Sequence, residues 1–179
     1  KGNVWGGGAN NYGQLGDKST ATRLSPVKVR FPEGTKIVAI AMGDNFSLAL
    51  DAKGFVWAWG RNNYDQLGLG WYNKDRREDT QTTPRRVING TAAGPDESTD
   101  IYNYLSHIIA ISAGGSTAAA IRSNGTIYTW GLNDKGQVGN GIAATNAYQA
   151  QPVALRAGAN IDAADTVTIR VRSYLEGNN

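Results

Sequence analysis

One segment of this chain occurs three times, and a chain that repeats itself folds by stacking like units against each other. Val4–Gly16, Val56–Gly68 and Ile127–Gly139 align without a gap. Asn10, Asn62 and Asn133 fall at one position, Gln14, Gln66 and Gln137 at another, and Gly16, Gly68 and Gly139 close each copy. The second and third copies add a Trp-Gly pair, Trp59-Gly60 and Trp130-Gly131. In the first copy Gly7 stands where those tryptophans stand. The likeness of these two copies continues upstream through Ile37/Ile108, Gly43/Gly114, Ala49/Ala120 and Gly54/Gly125.

The copies are unevenly spaced, and the cause lies in two connections. Gly68 to Pro84 is longer than Gly16 to Pro26, and Pro84 to Ile108 is longer than Pro26 to Ile37. Insertions confined to connections are what a fixed strand framework with variable edges produces.

Each unit reads as short strands. Pro26–Arg30 alternates apolar and polar residues, as a half-buried strand does. Ile37–Met42 is a continuous apolar run ended by Gly43, which predicts a strand buried on both faces. Phe46–Leu50 makes a third strand and Phe55–Trp59 a fourth, with Trp57 and Trp59 on one face and Val56 and Ala58 on the other. The turns between them, Asp51–Gly54 and Arg122–Gly125, place glycine where a tight hairpin needs positive φ. With 23 Gly against 5 Pro, the composition suits many strands joined by tight turns. The expected fold is all-β: a partial β-propeller of four-stranded antiparallel blades, two and a half to three units long. The repeat residues Trp59, Gly60, Asn62, Gln66 and Gly68, with Trp130, Gly131, Asn133, Gln137 and Gly139, are read as structural. Amides at one spacing in every copy serve the loop's unladdered backbone better than they serve a ligand.

Little chemistry is on offer for catalysis. The chain has no Cys, which excludes disulfides, thiolate catalysis and Cys-ligated zinc. His107 is the single imidazole, and it sits just before the Ile108 strand as a loop-end residue. No nucleophile elbow, phosphate loop, dinucleotide fingerprint or zinc-protease motif occurs. Asp96, Glu97 and Asp100 read as a solvated acidic turn. No catalytic residue, metal site or cofactor is expected. A formal net charge of +3 leaves no electrostatic footprint for nucleic acid, and the basic pairs Arg76-Arg77 and Arg85-Arg86 do not make one. The longest apolar run, Ile37–Met42, is too short to cross a bilayer as a helix.

The repeat resembles that of the regulator of chromosome condensation family. Ile37–Gly43, Leu48-Ala49-Leu50, Gly54–Gly60, Asn62, Gln66-Leu67-Gly68 and Pro84–Val87 carry the likeness, as do Ile108–Gly114, Gly125–Gly131, Asn133 and Gly136–Gly139. It covers the chain to about Leu155, giving propeller repeats over 1–155 with units around 1–36, 37–107 and 108–155. Residues 156–179 depart from the pattern, although Thr166–Arg172 alternates like one more strand. The resemblance implies a seven-bladed closed propeller, so this chain reads as a partial, bacterial-type member. The remaining blades then belong to the same longer chain or to another subunit. It also implies a protein–protein interaction scaffold with a protein partner. Nucleotide exchange on a small GTPase with chromatin binding, and secreted inhibition of an enzyme, are the alternatives. The Cys-free, Gly- and Asn-rich repeats suit a secreted or bacterial cell-surface location. Candidate partner-binding residues are the aromatics and arginines of the two insertions: Trp71, Tyr72, Arg76 and Arg77 in one, Tyr102 and Tyr104 in the other.

Overall fold

The computed structural model describes residues 2–70, 80–90, 104–140 and 148–154. Among these, every regular element is a strand: β1 (Trp5–Gly8), β2 (Arg23–Lys28), β3 (Ile37–Met42), β4 (Phe46–Asp51), β5 (Val56–Arg61), β6 (Thr80–Arg86), β7 (Ile108–Gly114), β8 (Thr117–Arg122), β9 (Ile127–Leu132) and β10 (Tyr148–Ala154). They form an antiparallel two-stranded sheet, β1-β2, and two antiparallel four-stranded sheets, β3-β4-β5-β6 and β7-β8-β9-β10. Strand order follows chain order, so each four-stranded sheet is a meander, as in a propeller blade. By repeat position β1 and β2 correspond to β5 and β6, the last two strands of a blade. The alternating stretch of the first unit forms its strand at 23–28 rather than 26–30. Thr166–Arg172 lies outside the described residues.

Alternation along each strand sends side chains to two neighbours. Phe46, Leu48, Leu50, Val56 and Ala58 of the second sheet pack with Ile108, Ala118, Ala120, Tyr128 and Trp130 of the third. Ala49, Trp57 and Trp59 leave the opposite face of the second sheet and meet Val29, Val4 and Phe31. Phe31 stands edge-on to both indoles, with ring centroids 5.9 Å from Trp57 and 5.4 Å from Trp59.

One expectation needs correcting. Ile37–Met42 is not buried on both faces: Val38, Ile40 and Met42 are exposed. The strand ends its sheet's order, with β4 as its only ladder neighbour among the described residues. Its face bearing Ile40 and Met42 meets no inner strands of the first sheet among the described residues. In the third sheet Ile111 and Ala113, at the same repeat positions, pack against the second sheet.

The loop after each Trp-Gly position is built the same way three times. Its Asn side-chain oxygen accepts from the backbone N–H five residues on: Leu15 to Asn10 at 2.9 Å, Leu67 to Asn62 at 3.1 Å and Val138 to Asn133 at 3.0 Å. Its Gln side-chain oxygen accepts from Tyr12, Tyr64 or Lys135 N–H at 3.0, 2.9 and 2.8 Å. These bonds supply acceptors for backbone donors that have no ladder. The following Leu15, Leu67 and Val138 are buried beneath the loop.

That loop is where successive sheets lock together. Trp59 Nε1 donates to the Gln14 carbonyl at 2.7 Å, and Trp130 Nε1 donates to the Gln66 carbonyl at 2.9 Å. Ser47 Oγ shares the Gln14 carbonyl at 3.0 Å. The loop glycine makes the approach possible. A Cβ on Gly68, where φ is +64, would lie 2.8 Å from Trp130 Nε1, and one on Gly16 would lie 2.9 Å from Trp59 Nε1. Only glycine supplies both the backbone angle and the space.

The first loop has an ion pair of its own. Asp17 meets Arg23 at 2.6 Å and accepts from Asn10, Ser19 Oγ and Ser19 N–H. Burial opposes ionisation of this carboxyl, but the hydrogen bonds from Ser19, Arg23 and Asn10 outweigh it and hold its pKa below the usual aspartate value.

Three outcomes test this frame. Trp130→Phe, which leaves the buried Gln66 carbonyl without its donor and opens a gap, is expected to cost about 2–3 kcal/mol in urea unfolding. Trp5→Phe, at a site 60% exposed, is expected to stay within about 0.5 kcal/mol. Gly68→Ala is expected to destabilise by about 2 kcal/mol or more, whereas Ala at the unobstructed Gly114 is expected to be nearly neutral. For Asp17 the folded pKa is depressed, so its contribution is present above the unfolded value and fades as pH falls through the folded one. The stability gap between wild type and Asp17→Asn is therefore expected to be full at neutral pH and to close below about pH 4, measured by denaturant titration across pH.

Candidate functional site

Antiparallel order gives the stack two rims. The connections after β3, β5 and β7 turn at one rim, together with the Asn/Gln loops. The connections after β2, β4, β6 and β8 turn at the other. The stretch between β5 and β6, which carries Trp71, Tyr72, Arg76 and Arg77, therefore leaves from the first rim. The stretch between β6 and β7, which carries Tyr102 and Tyr104, leaves from the second. Trp71, Tyr72, Arg76, Arg77 and Tyr102 lie outside the described residues, as do Asp96, Glu97 and Asp100. The strand ends that flank the two groups sit at opposite edges of the same blade.

Tyr104 is described, and it belongs to a cavity of about 480 Å³ at the second rim. This cavity is assembled from three connections and from strands β5 and β6. The β4–β5 turn forms its floor. Asp51 Oδ1 accepts from Lys53 N–H at 2.9 Å and Phe55 N–H at 3.0 Å, and Gly54, at φ +82, closes the turn. Asp51 Oδ2 accepts from Trp57 Nε1 at 2.9 Å, which fixes the indole. Ala52 N–H bonds to the Lys36 carbonyl at 2.8 Å, tying the floor to the wall formed by Pro32–Lys36. A single bridge between Ile88 and Tyr104 brings the tyrosine in from the far side.

Arg86 lies at the centre of the site. Register pairs it with Trp57, so their side chains share a face of the sheet. Its guanidinium carbon is 4.5 Å from the Phe55 ring centroid, 5.0 Å from Trp57 and 5.3 Å from Tyr104. Three rings thus surround one cation at cation–π distance. Its Nε is buried without an acceptor, and no described residue forms an ion pair with it. Lys36, Lys53 and Arg85 also line the cavity, against Glu33 and the already engaged Asp51.

A smaller group occupies the first rim, where the Arg61 guanidinium lies 4.7 Å from the Tyr12 ring and 6.0 Å from Tyr64. Sequence reading met Arg86 only as half of the Arg85-Arg86 pair, set aside as no nucleic-acid footprint, and did not single out Arg61. The signal for Arg86 was its place opposite Trp57, which requires the β5–β6 register.

His107 is exposed, has φ of 59°, and its Nδ1 is 3.0 Å from Ser106 Oγ. It stands beside the hairpin turn, its carbonyl accepting from Ser123 N–H. Among the described residues no group of three His, Cys, Asp or Glu side chains is placed to hold a metal. Among the described residues no helix is long and apolar enough to cross a membrane.

Comparison with known proteins gives one consistent family. The profile described as the regulator of chromosome condensation (RCC1) repeat matches residues 1–50, 53–121 and 124–161. The human E3 ubiquitin-protein ligase HERC2 is 34% identical over 148 residues, covering 82% of this chain and 3% of that protein. The human X-linked retinitis pigmentosa GTPase regulator is 34% identical over 134 residues, covering 74% of this chain and 11% of that protein. Among solved structures, Prp20p of Saccharomyces cerevisiae superposes with a TM-score of 0.66 at 27% identity, covering 89% of this chain and 34% of that one. Human WBSCR16, at 22% identity and a TM-score of 0.65, shares the fold. The chain thus spans about a third of these solved propellers and a far smaller share of the curated relatives. Repeat, sheet order and profile agree: this chain belongs to the regulator of chromosome condensation (RCC1) repeat family.

Proposed function

We propose that this chain is a non-catalytic protein-binding scaffold whose contact surface is the second rim. The observation that carries this reading is the division of labour in the blade. Strand side chains and the Asn/Gln loops are spent on stacking one sheet against the next. The ring-held Arg86 and the cavity around it have no comparable internal task. Aromatic residues and arginine are the residue types that most often anchor interfaces.

The relatives support a binding role. The solved Prp20p structure was described together with that protein's binding properties to Gsp1p and histones, and a further structure holds Kap60 bound to yeast RCC1. The ubiquitin ligases among the relatives are far longer than the stretch they share with this chain, so their activity is no guide to it. A second reading, exchange of guanine nucleotide on a small GTPase, rests on the family resemblance alone. A nucleotide-release assay with a small GTPase decides it, and no acceleration removes it.

The rim assignment has a direct test. Residues 71–79 and 91–103 are each replaced by a short Gly-Ser linker in the intact protein, and partner capture is measured by cross-linking and affinity pull-down. Capture is expected to survive the first replacement and to fall with the second. The reverse pattern moves the interface to the opposite rim, and unchanged capture in both variants removes the connections from the interface.

A further inference from the structure

We propose that the cavity at the second rim receives an acidic segment of the protein partner, with a carboxylate of that segment bound by the Arg86 guanidinium. This rests on the binding-scaffold reading and names the chemistry of its partner.

The first argument is the state of Arg86. Aromatic rings engage a guanidinium through its face and leave its in-plane N–H edge unused. Here Phe55, Trp57 and Tyr104 surround the guanidinium at cation–π distance, and Nε is buried with no acceptor among the described residues. A buried Nε N–H with no acceptor among the described residues is costly, and a carboxylate arriving at the guanidinium supplies charge-assisted bonds that water at its outer nitrogens does not match. The rings also hold the side chain in place beforehand, so little freedom is lost on binding.

The second argument is the fate of the local acid. Asp51 is the buried carboxylate of the cavity, but both its oxygens are occupied by Lys53 N–H, Phe55 N–H and the Trp57 indole. It holds the floor and does not neutralise Arg86. Lys36, Lys53 and Arg85 then leave the lining with an excess of positive charge over Glu33.

The third argument selects a peptide over a nucleic acid. A phosphate backbone needs a track of cations over an extended face. This cationic group is gathered at one cavity of about 480 Å³, room for a few side chains and within the usual range of small-ligand pockets. Pro32, Pro84, Trp57 and Tyr104 give it apolar walls. An acidic residue flanked by apolar ones matches that lining.

The probe is a short fluorescent peptide of alternating Glu and Leu, titrated into the intact protein and followed by anisotropy. The Trp57 indole resonance in a nitrogen–proton spectrum reports on the site itself. Binding is expected to weaken with added salt and to shift that resonance. The matched Gln–Leu peptide is expected to bind at least about tenfold more weakly. Arg86→Gln is expected to weaken the Glu–Leu peptide about tenfold or more, and Glu33→Gln to tighten it about twofold. Because Arg86 packs on three rings, the exposed double variant Lys36→Glu, Lys53→Glu serves as a second probe, with weaker binding expected in a protein whose unfolding midpoint is unchanged. Equal binding of the Gln–Leu peptide, no binding to the wild type, or full affinity in both variants overturns the proposal. Tighter binding of a single-stranded oligonucleotide at the same resonance overturns it as well. If the pocket variants fail to alter capture of the natural partner while the wild type still captures it, the acidic site falls and the scaffold stands. If the wild type captures no protein, the scaffold reading itself falls.

Discussion

Successive sheets in this protein are joined by one recurring contact, an indole N–H pressed onto a loop carbonyl of the blade before it. Trp59 reaches Gln14 and Trp130 reaches Gln66, at 2.7 and 2.9 Å. A Trp is large enough to fill the gap between sheets and carries a donor at its far end. The loop must present a carbonyl at that point and must come close enough to be touched. Asn and Gln side chains set the loop's course, and Gly16 and Gly68 remove the atom that would block the ring. The repeat motif is thus half of an interface written into every unit, with the other half in the next unit.

That arrangement explains where function is free to reside. Residues that form the joint cannot vary without loosening it, because each is packed or hydrogen-bonded across a sheet boundary. The second rim carries no part of that joint. At the second rim, the same cross-strand register that builds the sheet brings Arg86 over Trp57. The Asp51 turn holds that indole still, so the cation is fixed by the scaffold rather than by a counter-ion. A rigid, unneutralised charge at the mouth of a cavity is suited to recognition.

Much of the frame was legible in the sequence, and for a physical reason. The period-2 pattern, the turn glycines and the aligned Trp-Gly pairs are local signals, and local signals fix strands and hairpins. The reading of Ile37–Met42 as buried on both faces went wrong because composition cannot say what lies against a strand's second face. Ile111 is covered by a neighbouring sheet, and Ile40, at the same repeat position, is not. From sequence the two insertions are both candidates for partner contact, with nothing to say which rim each leaves from. Strand direction sets the strand ends from which they leave at opposite rims, since β5 and β6 end at opposite edges of the same blade.

The amino-acid sequence by itself determined the unit, its strands and the family, because repetition and alternation are properties of residue order. Only the tertiary structure decided which side chains share a site. Arg86 is far along the chain from Trp57 and separated from Tyr104 by an insertion, and their convergence depends on strand pairing and on a single bridge between Ile88 and Tyr104. Register is set by packing across the whole sheet, and no short stretch of residues records it.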